Sequence, residues 1–104
     1  MIGRMWRGEA IDTANADAYA RHLGETVVPE LRRLTGFRGA HLLRAPVGDR
    51  IELRVLTLWD SRAAIEAFAG QDISVAVVEP EARAVLVAFD DFARHYDMTS
   101  FSPL

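Results

Sequence analysis

The chain has 104 residues, 50% of them hydrophobic and 26% charged, the balance of one folded domain, which excludes a disordered chain. A domain of this length buries roughly 65% of its unfolded surface, enough for one core but not for a large cofactor deep inside a monomer. A net charge of −3, with twelve arginines scattered singly or in pairs, argues against a nucleic-acid partner, and the lack of cysteine excludes disulfides, thiolate nucleophiles and thiolate metal sites.

Residues 2–7 are large and β-tolerant and end at Gly8, which predicts a first strand. This opening segment carries Arg4 and Arg7 and lacks the apolar stretch of a signal peptide, and no window of the chain approaches a membrane span. The sequence therefore predicts a cytoplasmic protein with no membrane partner. Asp12 and Thr13 can cap a helix, along which Tyr19, Leu23, Val27, Leu31 and Leu34 recur at helical spacing. Pro29 removes a backbone donor from its interior, so the helix either kinks there or divides at Gly24-Glu25, and Thr35-Gly36 ends it. Residues 37–44 read as a second strand, 46–49 as a turn and 51–59 as a third strand, antiparallel across so short a connection. Asp60 or Ser61 opens a second helix with Ala64, Ile65 and Phe68 on one side, stopped at Gly70. Pro80-Glu81 is a favoured helix opening and predicts a short helix over 80–85, before a final strand over 86–98. With no linker, repeat or low-complexity stretch, the expected organisation is one domain over 1–98 and a flexible tail over 99–104.

The order β-α-β-β-α-β, with an extra helix before the last strand, predicts an α+β fold of ferredoxin-like type, one antiparallel sheet with helices on one face. The strands nevertheless fail to alternate. Leu42 and Leu43 are both apolar, as are Val55, Leu56, Leu58 and Trp59, so both sheet faces should be covered. A second copy of the chain, set face to face about a twofold axis, is the simplest cover and gives a homodimeric sheet-on-sheet barrel.

The run Leu31-Arg32-Arg33-Leu34, the segment Thr35-Gly36-Phe37-Arg38-Gly39, and above all Leu56-Thr57-Leu58-Trp59-Asp60-Ser61 followed by Ala64-Ile65-Glu66-Ala67-Phe68 resemble the antibiotic biosynthesis monooxygenase superfamily, over about residues 2–98. The resemblance implies a dimeric α+β barrel. It leaves activity open among cofactor-free oxygenases, haem-degrading enzymes, isomerases and proteins without a known role. The haem-degrading branch carries an Asn on the first strand, a Trp near the end of the second helix and a haem-ligating His about ten residues beyond it. Here the first strand has no Asn, Phe68 stands at the place of the Trp, and Val77 and Val78 lie where the His is expected. The cofactor-free oxygenases instead line a pocket between sheet and helices with polar and aromatic side chains, and Trp59 resembles a family Trp at the end of the third strand.

Imidazole titrates nearest neutral pH, which makes the three histidines proton-transfer candidates. His41, mid-strand beyond Phe37 and Gly39, is the expected base, with a hydrogen-bonded core or interface histidine as the alternative. His22 lies one position from the apolar helix stripe, and borders either the pocket or solvent. His95 and Tyr96 are neighbours on the last strand and must face opposite ways. Arg4 and Trp6 share a face of the first strand, where charge and stacking suit a phenolate, although an ion pair for Arg4 and simple packing for Trp6 are the plainer alternatives. Trp59 and Phe68 pack the core or wall a pocket. No Gly-rich phosphate loop, serine elbow or metal cluster at ligand spacing is present, so neither metal nor cofactor is expected. The function implied by the resemblance is cofactor-independent oxidation of a small phenolic or polyketide-like compound, with His41 as base, Arg4 holding the phenolate, and Trp6, His22, Trp59, Phe68, His95 and Tyr96 around it. The alternatives are a homodimer that binds a small apolar or aromatic molecule without turnover, a stress-related one included, and an isomerase or cyclase on the same barrel.

Overall fold

The most β-prone segments become the three long strands of a sheet whose inward residues carry the core. In the computed structural model, which describes residues 1–102, the elements run β1 (Ile2–Ala10), α1 (Thr13–His22), a π-helical turn (Leu23–Val27), α2 (Val28–Leu31), β2 (Phe37–Val47), β3 (Arg50–Trp59), α3 (Arg62–Ala69), α4 (Pro80–Arg83), β4 (Ala88–Phe89) and β5 (Arg94–Asp97). The last two residues of the expected tail, Pro103 and Leu104, lie outside the described residues. The sheet order is β2-β3-β1-β4, with β5 also pairing β1, and every pairing is antiparallel. With its helices on one side, this is the expected α+β ferredoxin-like arrangement. No helix among the described residues is long and apolar enough to cross a membrane.

Local chemistry accounts for the boundaries. Asp12 caps α1 by accepting from Asn15 N–H at 2.8 Å, and Ser61 caps α3 by accepting from Ala64 N–H at 3.2 Å. Gly8 does not end β1. Its missing side chain makes room, since a Cβ there would stand 3.2 Å from the Trp6 ring and 3.3 Å from Leu86. Gly36 sits at φ 90°, and a Cβ would fall 2.7 Å from that of Ala64, so only glycine lets the chain enter β2 against α3. Pro46 lies inside β2 rather than in the turn, which an edge strand tolerates.

The α-helical bonding divides over Leu23–Val27, the stretch that holds Gly24-Glu25, through a π turn rather than a break in the helix. An α-helix would need an N–H from residue 29, which proline lacks; the π turn, in which Val28 N–H reaches back to Leu23 O, takes up the mismatch. The helix then resumes with Pro29 in its first turn, where the missing donor is harmless. The expected strand over 86–98 is broken. Trp6 Nε1 donates to Asp90 O at 2.8 Å and Asp90 N–H to Arg7 O at 2.9 Å, while Ala93 N–H turns away to Ser74 O and Ala76 N–H reaches Asp91 O. Residues 91–93 therefore detour to hold 74–76, and strand pairing with β1 resumes at Arg94.

Register sorts the strand residues. Ile2, Arg4 and Trp6 stand opposite Trp59, Thr57 and Val55 on the helix side. There Trp59, fully buried, meets Phe37 edge-on at 5.3 Å and stacks on Phe68 at 5.9 Å. The other face presents Met5, Leu43, Leu56, Leu58 and Tyr96, with Leu43 and Tyr96 about half exposed, beside an Arg7, Glu9, Glu52 and Arg54 network.

Candidate functional site

A cavity of about 60 Å³ lies between the sheet and the helices. β1 supplies Arg4 and Trp6, β3 supplies Val55 and Thr57, α1 supplies Tyr19 and His22, α3 supplies Phe68, and Glu79 comes from the segment before α4. The period of two in β1 turns Arg4 and Trp6 the same way, and the helical stripe that buries Tyr19 carries His22 beside it.

Arg4 is only 4% exposed, and among the described residues no carboxylate lies within ion-pair distance of it. Its Nη1 donates to Ile73 O and meets His95 Nε2 at 3.0 Å, and its Nη2 donates to Val75 O at 3.0 Å. Three of the five guanidinium N–H groups are thus engaged, all with neutral acceptors. Its Cζ lies 5.7 Å from the Phe68 ring centroid. Burial lowers the Arg4 pKa, yet a guanidinium remains charged near neutral pH. Because Arg4 can only donate, His95 Nε2 accepts and its proton sits on Nδ1. Burial, then the charges of Arg4 and Arg62, hold His95 below the ordinary histidine range.

Thr57 Oγ1 accepts from Trp59 Nε1 at 2.9 Å, fixing the indole behind the cavity wall. Burial, followed by the Glu79 charge, pushes the Tyr19 phenol well up, so it stays protonated. His22 Nε2 is buried with no hydrogen-bond partner, and Glu79 Oε2 stands 3.8 Å away. Donor atoms of His22, Glu79 and Glu81 all lie within 4.8 Å of one another.

Of the side chains singled out in the sequence, Arg4, Trp6, His22 and Phe68 meet around the cavity. His95 stands behind Arg4 and Trp59 is packed into the core, neither of them on the cavity wall. Tyr96 lies on the open sheet face, with Arg94 at 5.7 Å from its ring. His41, the expected base, is exposed on that same face opposite Leu56. The reason is a bulge: pairing shifts between Phe37 and Gly39, which reverses the alternation, so counting by twos from Phe37 gives the wrong face for His41.

Sequence reasoning missed Tyr19, Thr57 and Glu79 as cavity residues. Thr57 carried a usable signal, a hydroxyl sharing a face with Val55 and Trp59; Glu79 carried none, because only the fold brings it to His22. The His22, Glu79 and Glu81 grouping was invisible for the same reason. Val77 and Val78, at the place expected for a haem-ligating His, line the cavity with apolar side chains.

A family profile described as antibiotic biosynthesis monooxygenase matches residues 9–80. The chain is similar to a crystal structure of a Bacillus cereus protein provisionally described as an antibiotic biosynthesis monooxygenase, with a TM-score of 0.63 and 15% identity over 99% of this chain and 95% of that one. At that identity the likeness speaks for fold alone. Curated proteins give no match.

Proposed function

The chain belongs to the antibiotic biosynthesis monooxygenase family, and from that premise we propose that its cavity takes a small aromatic compound as the phenolate and oxidises it with molecular oxygen, without a cofactor. The carrying observation is Arg4, a buried charge answered only by carbonyls and a neutral imidazole. Isolated buried charge is expensive, and an incoming anion completes it with two N–H groups still to spare.

Trp6 and Phe68 supply flat apolar surface, and Tyr19, kept neutral, adds a hydroxyl. His22, rather than His41, takes the phenol proton on its unpartnered Nε2. Arg4 stabilises the oxygen anion. The anion gives an electron to oxygen, the two radicals join at the activated ring carbon, and loss of water from the peroxide leaves a carbonyl where a CH2 stood. One oxygen atom ends in the product and the other in water.

The cavity is smaller than the roughly 150 Å³ that holds benzene in an engineered protein core. That small volume favours the second reading, binding without turnover. Oxygen uptake with a panel of anthrones, which carry the ring CH2 that the step consumes, tests both. Saturable uptake, one oxygen per product, is expected, with kcat/KM about 10²-fold lower or more in Arg4→Met. Equal turnover by Arg4→Met would sink the assignment. Quenching of Trp6 fluorescence without oxygen uptake would favour the binder, and product without uptake an isomerase or cyclase.

The assembly we infer is a homodimer closed over the open sheet face, because Met5, Leu43, Leu56, Leu58 and Tyr96 form an apolar band that a single chain leaves to water. Sedimentation at a mass twice 11.6 kDa is the expected result, and a monomer at high concentration would overturn it.

A further inference from the structure

We propose that His22, Glu79 and Glu81 form a binding site for one divalent transition-metal cation of the zinc type. The three donors come from two distant stretches of chain. His22 closes α1, while Glu79 and Glu81 flank Pro80 at the start of α4. The core holds these stretches together, because Tyr19 and Leu23 on one side and Ala82 on the other are buried in a single cluster. The approach of the two stretches is therefore built into the packing, while the exposed Glu81 side chain reaches in from the surface.

Two observations point to a ligand. The donor atoms of all three residues lie within 4.8 Å of one another, and the His22 side chain is only 10% exposed with its Nε2 buried and unpartnered. A buried imidazole nitrogen with nothing to accept or donate to is a cost that the fold leaves in place. Around an ion with bonds of about 2.1 Å, neighbouring donors stand about 3–3.5 Å apart. Glu79 Oε2 is already 3.8 Å from Nε2, and Glu81, exposed and free to change rotamer, closes the remainder.

The donor set selects the ion. Imidazole nitrogen favours zinc, cobalt, nickel and copper over magnesium and calcium, which prefer an all-oxygen shell. Two carboxylates balance the double charge. Three protein ligands leave at least one coordination position open, and two of them, His22 and Glu79, also line the cavity. The inference goes beyond the oxidation reading and limits it. An ion on Nε2 uses the lone pair that a base needs, so metal binding and proton transfer at His22 exclude one another.

The test requires no substrate, so its failure is separate from failure of the oxidation reading. Tag-free full-length protein, stripped with a chelator, is titrated with cobalt(II) while visible absorption is followed, and with zinc in a calorimeter. The expected result is one ion per chain, a visible cobalt band lost on adding zinc, and no displacement by excess magnesium. Glu81→Gln, at an exposed position that does not threaten folding, should weaken binding at least tenfold, His22→Gln more, and His41→Gln not at all. Absence of binding, or binding indifferent to Glu81→Gln, overturns the proposal. So does proton magnetic resonance showing His22 protonated against Glu79 while zinc in excess leaves its signals unmoved, since the group is then a simple ion pair.

Discussion

Arg4 and Arg7 stand three residues apart on one strand and face opposite sides of the sheet. Arg7 donates to Glu52 at 2.7 Å and to Glu9 at 2.6 Å, and Glu52, with Arg54 beyond it, continues the network. Those carboxylates raise the Arg7 pKa and are themselves held below the usual carboxylate range, by Arg7 first. Arg4 has carbonyls and an imidazole instead, and its pKa is lowered by burial. One face neutralises its own charges, and the other keeps a charge with no carboxylate within ion-pair distance among the described residues. The lesson is that net charge says little here, whereas the pairing of each charge separates two arginines of one strand.

The contrast breaks most visibly at Leu56, in the middle of the open face. Leu56→Asp sets an unpaired carboxylate in the inferred dimer contact and should convert dimers wholly to monomers in sedimentation; retention of the dimer would mean that the contact lies elsewhere. A middling effect is expected at His95, which must stay neutral to accept from Arg4. Its pKa is depressed when folded and near 6.5 when unfolded, so the unfolded chain takes up a proton first as pH falls. The stability that neutral His95 contributes is fully present above pH 6.5 and is lost as pH drops below it. Urea midpoints measured across that window should fall in the wild type and fall less in His95→Gln, and equal slopes would remove His95 as the cause. The smallest change is expected for Arg7→Met, whose partners sit near solvent; a slight loss of thermal stability should fade at high salt. A large loss insensitive to salt would mean that this network is covered by a partner.

Much of the fold could be read in advance because local signals agreed with tertiary ones. Asp12 and Ser61 cap the helices they were expected to start, and the hairpin of β2 and β3 follows from two β-rich runs across a short turn. Where the reading failed, a distant contact had overruled a local preference. The final strand is interrupted by the hold of Trp6 and Arg7 on Asp90 and by the pull of residues 74–76 on 91–93, none of which has a local signature. Arg4, Trp6, His22 and Phe68 were legible as site residues because charge and aromatic rings stand out on a patterned element. His41 misled, since one bulge reverses the face of every residue after it and leaves hardly a trace in composition.

The π turn at Leu23–Val27 makes this helix one residue longer than its end-to-end span requires. A regular helix turns about 100° per residue, so removing one residue there would restore regular bonding and rotate the first half of the helix by that angle relative to the second. Tyr19 and His22 would swing off the cavity while Leu31 kept its seat. The surplus residue thus acts as a phase adjuster between two halves of a helix that both border the cavity, the first through Tyr19 and His22 and the second through Leu31. Chain length at this point is itself a determinant of the site, independent of which amino acid occupies it.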